Sequence, residues 1–168
     1  MLSNQKKDFI DTLKHWVDKL IAGLLIFIVA AMTVLVTYQV VIRYVFDSPS
    51  AISEVLSRYL FIWLILIGSA YVFGHKEHMS IPFVKNKFSE KAQTYIEMFT
   101  ELATGIFAIS IMVIGGYGSA IRQMWQLDSA LQIPMGMIYM AIPISGALII
   151  FYSLYNELLL WRRLKQLN

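Results

Sequence analysis

The chain has 168 residues, of which 58% are hydrophobic and only 15% charged, and its net charge is +3. A soluble domain averages roughly 45–50% apolar and about 25% charged residues, so these few charges cannot coat a water-soluble core, and the same apolar excess excludes intrinsic disorder. The absence of cysteine excludes a disulfide scaffold, Cys-ligated zinc, an iron–sulfur cluster and a Cys nucleophile.

A helix needs about 20 apolar residues to cross roughly 30 Å of hydrocarbon. Ahead of the first such run, Phe9, Ile10, Leu13, Trp16, Val17 and Leu20 recur at helical spacing, with Asp11, Lys14 and Asp18 on the other face. The pattern fits an interfacial amphipathic helix leading into the bilayer. A long first helix that emerges into water accounts for it equally well. The charge-free run between Lys19 and Arg43 predicts span one over 20–42. The N-terminal stretch does not read as a cleavable signal peptide: it mixes acidic and basic residues, its apolar run is too long, and no small-residue cleavage site follows. Span one is therefore expected to stay as an anchor.

The run between Arg58 and Lys76 is short, so span two is expected to reach back to Ile52 and cover 52–74. Ser89 is placed to cap a helix beginning at Glu90. Phe88, Ala92, Tyr95, Ile96 and Phe99 follow near a helical period, so the third helix is expected to start outside the bilayer and run into it. Lys85, Lys87 and Lys91 on its approach can touch anionic headgroups. Span three is expected over 100–121 and span four over 135–157. Pro134 falls near the start of span four. Pro143 lies inside it, removes one backbone hydrogen bond and is expected to bend it. The expected fold is an all-α membrane protein, a single four-helix domain over 1–168.

Loop charges give an orientation. Lys6, Lys7, Lys14, Lys19, Lys76, Lys85, Lys87, Lys91, Arg162, Arg163 and Lys165 fall on one side, and only Arg43, Arg58 and Arg122 on the other. Positive-inside bias then places both termini in the cytoplasm. Trp16 and Trp161 fall at that interface, and Tyr44, Tyr59 and Trp125 at the opposite one, where amphipathic rings are favoured. The basic excess is a topology signal, so no nucleic-acid partner is needed to explain it.

Ionisable groups at membrane depth mark ion and proton pathways, and each costs on the order of 3 kcal/mol to insert. None stands at the centre of a run here. The deepest polar residues are Thr33, Thr37, Gln39, Ser69, Thr104, Ser110 and Ser145; they can hydrogen-bond across helices or back to a carbonyl, and interhelical packing is the expected use. His15, His75 and His78 lie near the basic edge rather than in facing spans, which disfavours haem. For His75, Glu77 and His78, cations at the end of a helix are the preferred reading over a metal site. No catalytic set is visible, and no cofactor is expected in this chain. Gly115 and Ser119, four apart, have the spacing of a close helix contact. Gly68 with Val72, and Ser145-Gly146-Ala147, are similar in kind.

The densest pattern surrounds the first turn: Arg43-Tyr44-Val45-Phe46-Asp47-Ser48-Pro49-Ser50, then Glu54, Arg58-Tyr59, Trp63, Gly68, Ala70, His78 and Ile81. Taken singly, these residues make a good turn. Ser48 or Ser50 can cap helix two, and Pro49 suits its first turn. Glu54 favours the helix dipole, Arg43 ends helix one, and Glu54 and Arg58 can pair at four-residue spacing.

As a set, they resemble the small membrane subunit of tripartite ATP-independent periplasmic (TRAP) transporters, the DctQ-like family. Ser129, Leu131, Ile133-Pro134, Tyr139 and Ile142-Pro143 in the fourth span region follow the same family's pattern. Where many members carry two adjacent Glu at the turn, this chain has Ser53-Glu54. The resemblance implies a complex with a much larger membrane subunit that holds the substrate and sodium sites. It also implies a periplasmic binding protein that delivers an organic acid, such as a sialic acid or a C4-dicarboxylate. The small subunit is then expected in the bacterial inner membrane, bracing the scaffold and helping to dock the binding protein. Arg43, Asp47, Glu54 and Arg58, near Pro49, become candidates for polar partner contacts; Tyr44, Trp63 and Gly68 become candidates for packing on the partner. Gly115, Ser119 and Pro143 are candidates for helix packing. The competing reading is a haem-free anchor subunit of another complex, such as a respiratory enzyme.

Overall fold

The computed structural model describes the backbone of residues 2–75 and 89–166, with side chains from residue 10 onward. The features expected at Lys6, Lys7, Phe9, Lys76, Glu77, His78, Ile81, Lys85, Lys87 and Phe88 lie outside these. The described chain is helical, with four helices long and apolar enough to cross a membrane: α1 (Leu2–Val45), α2 (Ala51–Gly74), α3 (Glu90–Gln123) and α4 (Gly136–Gln166).

The 44 residues of α1 form one unbroken helix, about 66 Å long at 1.5 Å per residue. No turn separates the amphipathic stretch from the span. The polar face of that stretch does not point to solvent as expected. Asp11, Lys14 and Asp18 turn inward, while Leu13, Trp16 and Leu20 are exposed. Beside a bilayer the apolar face loses nothing by pointing out, and the polar face gains partners by pointing in.

Past Val45, the Ile42 carbonyl accepts from the N–H groups of Phe46 (3.2 Å) and Ser48 (3.3 Å). Asp47 adopts φ 49° in this turn, a left-handed conformation that short polar side chains tolerate. Of the two cap candidates, Ser50 is the one used, its hydroxyl accepting from the Ser53 N–H at 3.5 Å. Pro49 therefore precedes the cap and does not enter the first helical turn. Ser89 caps α3 as its spacing implied, accepting from the Ala92 N–H at 3.4 Å.

The middle of α3, Ala108–Gly115, widens into a π-helix. Ala108, Gly116 and Ala120 are buried, with Met112 between them. Residues four apart over-rotate by about 40° per step on an α-helix, and the wider π turns rotate less. The π stretch thus keeps Ala108, Met112 and Gly116 on one face, toward α4. A Cβ at Gly116 would stand 2.7 Å from Ile142 Cγ2, and one at Gly146 2.7 Å from Met112 Cβ. Gly116 and Gly146 therefore make the close approach between these helices. Gly115 is exposed, with only its own helix nearby, and the Ser119 hydroxyl donates to the Gly115 carbonyl at 2.9 Å. Pro143 is buried on the same seam. It lacks the N–H that would bond the Tyr139 carbonyl, and α4 loosens at Met140, one residue beyond.

The helices run alternately up and down, so both chain ends share one end of the structure. They lie side by side in the order α1, α2, α4, α3, with no substantial packing between α1 and α3 among the described residues. The core on the α1–α2–α4 side is Ile21, Ile67 and Tyr152, flanked by Val17, Leu25, Trp63 and Phe151. Burial is concentrated in α4, 39% of whose most apolar window is enclosed, against 11% for α1 and for α3. The accessible surface is 11583 Å², whereas a compact soluble chain of this mass exposes about 8,500 Å². Large apolar side chains along α1 and α3 are exposed, among them Ile26, Phe27, Ile106 and Ile111.

Candidate functional site

Polar contacts between helices collect at the two ends and are sparse between. At the turn end, the loop joining α3 to α4 is organised by Asp128. Its Oδ1 accepts from the N–H groups of Ala130 (2.8 Å) and Leu131 (2.9 Å), an Asx turn. Its backbone N–H donates to the Ile133 carbonyl at 2.9 Å, and its carbonyl accepts from the Gln132 N–H at 3.0 Å. The Met135 N–H donates to the Gln126 carbonyl at 2.8 Å, and Leu127 and Pro134 pair as an isolated antiparallel bridge. Gln132 takes φ 55°. The Tyr59 hydroxyl donates to Asp128 Oδ2 from α2. The Tyr59 hydrogen bond first, then the Leu131 and Ala130 N–H groups, hold the Asp128 carboxyl below its ordinary range. Trp125 projects from this loop almost fully exposed, at 92%, and Leu127 is exposed beside it.

The candidate partner residues at this end face outward. Arg43, Tyr44, Asp47, Pro49, Glu54 and Arg58 are all exposed. The Arg43 guanidinium lies 5.9 Å from the Tyr44 ring centre. The expected Glu54–Arg58 pair forms at 2.9 Å, with both side chains largely in solvent. Trp63 and Gly68 sit further along α2 and meet this chain's own helices. Trp63 packs on the core, and a Cβ at Gly68 would find only Leu25 of α1, at an ordinary 3.8 Å.

At the opposite end, Tyr152 fastens three helices. Its ring, fully buried, lies against Gly74 of α2, and its hydroxyl donates to Asp18 Oδ1 of α1 at 2.6 Å. Lys14 Nζ meets Asp18 Oδ2 at 2.7 Å, and His75 Nε2 stands 3.7 Å from the same oxygen. Next along α4, the Tyr155 hydroxyl donates to Asp11 Oδ1 at 2.9 Å. A second link joins α4 to α3: Asn156 Nδ2 donates to Glu101 Oε1 at 3.0 Å, and Ser153 Oγ to the Glu101 carbonyl at 2.8 Å. His75 stacks on Tyr71, with Nδ1 2.9 Å from the Tyr71 carbonyl at the end of α2.

Neither cluster was singled out from the sequence. Tyr152 and Asn156, four apart near the end of the fourth run, were the available signal for one. Asp128, the single acid of its loop, was the signal for the other. The deep hydroxyls take the second of the two partners open to them. Thr33, Thr37, Thr104, Ser110 and Ser145 donate to carbonyls of their own helices at 2.7–2.9 Å, not across helices. Among the described residues no three His, Asp or Glu side chains gather to hold a metal.

The chain thus has two fastened ends, broad apolar faces, and hydroxyls bonded back onto their own helices along its spans. A family model described as "Tripartite ATP-independent periplasmic transporters, DctQ component" matches residues 32–163. The chain belongs to this family. It is 34% identical over 141 residues to a Haemophilus influenzae chain described as a TRAP transporter small permease protein, covering 82% of this chain and 85% of that one. It is 28% identical over 127 residues to the sialic acid TRAP transporter small permease protein SiaQ of Vibrio cholerae, covering 76% and 73%. It is also 27% identical over 113 residues to the sialic acid TRAP transporter permease protein SiaT of Haemophilus influenzae, covering 67% of this chain and 18% of that protein. This DctQ-family chain is a small permease subunit of a TRAP transporter, a multi-pass membrane protein and a transport component, not an enzyme. The tripartite system implies a large permease and a periplasmic binding protein as its partners. Family membership decides for the transporter over the respiratory anchor.

Proposed function

We propose that this subunit sits in the bacterial inner membrane as one four-helix domain with both termini in the cytoplasm. There it braces the scaffold of the large permease during sodium-driven uptake of an organic acid. The observation that carries the bracing role is the side-by-side arrangement, which leaves the outer faces of α1 and α3 apolar and bare within the chain. The SiaT relative supports it, since the segment similar to this chain is there a small part of a longer permease protein. The orientation rests on the eleven basic residues of the termini end and the 76–91 segment against three at the turn end. Sodium and substrate sites belong to the large permease in this reading. The substrate class, sialic acid or a C4-dicarboxylate, draws on the family and on the two sialic acid relatives.

Arg43, Tyr44, Asp47, Pro49, Glu54 and Arg58 would face the periplasm, available to the large permease or the binding protein. Gly115 and Ser119, on the outer side of α3, would allow a partner helix to approach. Trp63, Gly68 and Pro143 would act indirectly, by setting how the chain's own helices pack. The test is co-purification of a tagged chain from native membranes in mild detergent. A larger multi-span permease should come with it, and proteoliposomes holding both, with the binding protein outside, should accumulate the acid on a sodium gradient. Recovery of the chain alone at native expression would refute the bracing role.

A further inference from the structure

Tyr59 and Asp128 are 69 positions apart in sequence and are joined by one hydrogen bond. Asp128 spends its other oxygen on the Ala130 and Leu131 N–H groups. One carboxylate therefore both shapes the 126–135 loop and ties it to α2. Gln132 sits in the loop at positive φ, which costs free energy unless its surroundings hold it there. Just before these restraints stand Trp125 and Leu127, 92% and 55% exposed. A large aromatic carried on a restrained backbone is the kind of group that anchors a protein interface, because little entropy is lost when it is covered.

We propose that Tyr59 is a positioning residue for capture of the periplasmic binding protein, holding the 126–135 loop through Asp128 so that Trp125 and Leu127 present a fixed docking edge. The proposal rests on the reading that the turn end faces the periplasm and meets that protein. The binding protein is the occupant because the family is tripartite with a periplasmic component, and the loop lies at the end opposite the basic termini. Tyr59 does not itself touch the partner; it acts through the loop.

The test uses the assembled permease complex in nanodiscs and the binding protein of the same system, with affinity read by titration. Amide exchange over 126–135 is followed in parallel. Tyr59→Phe removes only the hydroxyl. It should raise exchange in the loop about five-fold, as loss of one hydrogen bond predicts, and weaken capture several-fold, with complex yield unchanged. Asp128→Asn keeps an acceptor for the two N–H groups while weakening the tie, and should do the same to a lesser degree. Should Tyr59→Phe lower complex yield, Asp128→Asn carries the test alone. Trp125→Ala should weaken capture without changing exchange in the rest of the loop. Capture weakened by Trp125→Ala but untouched by Tyr59→Phe would overturn the positioning role and leave the docking reading standing. Unchanged exchange in Tyr59→Phe would overturn it as well. Capture indifferent to both Trp125→Ala and Tyr59→Phe would remove the docking reading together with the proposal.

Discussion

Gly74 and Tyr152 offer the sharpest test of the packing. A Cβ on Gly74 would stand 2.5 Å from the Tyr152 Cε1 and Cγ atoms and closer still to Cδ1. The ring cannot swing aside, because it is fully buried and its hydroxyl is fixed on Asp18 at 2.6 Å. Overpacking of this kind costs about 1–3 kcal/mol, and a rigid neighbour puts the cost in the upper part of that range. Against it stands the helix preference for alanine over glycine, about 1 kcal/mol in a helix interior and less at this last position of α2. Gly74→Ala should therefore destabilise by about 1–2 kcal/mol. Tyr152→Ala deletes the ring and should cost about 3–5 kcal/mol by analogy with other aromatic truncations. In that background the obstruction is gone, so adding Gly74→Ala should be neutral or stabilising. The assay is loss of helical circular dichroism as SDS is titrated into dodecylmaltoside micelles, for the wild type, both single variants and the double variant. Contacting residues that behave this way show a coupling of at least about 1 kcal/mol. Additive single effects would refute the contact and, with it, the three-helix junction at this end.

Glycine contacts elsewhere should separate by the same rule. Gly146→Ala should destabilise, since its Cβ would meet Met112 Cβ at 2.7 Å, whereas Gly68→Ala should be tolerated or gain about 1 kcal/mol with only Leu25 at 3.8 Å; the same SDS titration distinguishes them. Arg58→Ala breaks an ion pair whose side chains are 62% and 70% exposed, so stability should fall by only a few tenths of a kcal/mol. Any larger effect of Arg58→Ala should appear in complex yield or binding-protein capture, as a salt-dependent loss. The loop at Asp128 should respond to acid. Its folded carboxyl titrates below the ordinary value of 3.8, so its contribution is present above that value and is lost as the pH falls through the lowered one. Loop amide exchange sampled across pH 5 to 3 and corrected for intrinsic rates should rise at the acid end, and Asp128→Asn should flatten that rise.

The spans were legible because charge is so rare in this chain. The exposed pair Glu54–Arg58 and the caps at Ser50 and Ser89 were legible because they depend on spacing of three or four residues along one helix. What the spacing does not carry is which side of a helix turns inward. In water, Asp11, Lys14 and Asp18 would mark the outer face of their helix; beside lipid they mark the inner one, because Tyr152 and Tyr155 supply the hydrogen bonds that hydrocarbon cannot. The spacing of the small residues does not show which of them meets this chain's own helices, for a related reason. Gly115 and Ser119 have the expected spacing, but the π turns of Ala108–Gly115 shift the helix phase so that Gly116 faces α4. No local rule announces that widening.

The placement of the polar links bears on what a small permease subunit can contribute. Links at both ends and self-satisfied Ser and Thr hydroxyls between them leave α1 and α3 free to present long, largely apolar faces. Hydrocarbon tails solvate such faces as well as another protein does, so apolar area alone does not bring a partner helix to them; close packing and a few hydrogen bonds do. In the proposed complex the exposed Gly115, with Ser119 one turn further along α3, would supply the close-packing element. The Arg43–Arg58 segment supplies polar groups at the turn end. A partner that used both would need α3 and the first turn on one surface, and they lie on different flanks of the layer. Bracing by such a chain therefore implies a large permease that wraps around part of the layer, and cross-links from Gly115→Cys and Asp47→Cys should reach two separated elements of that permease. Cross-links from both positions to one and the same short segment would contradict the side-by-side arrangement.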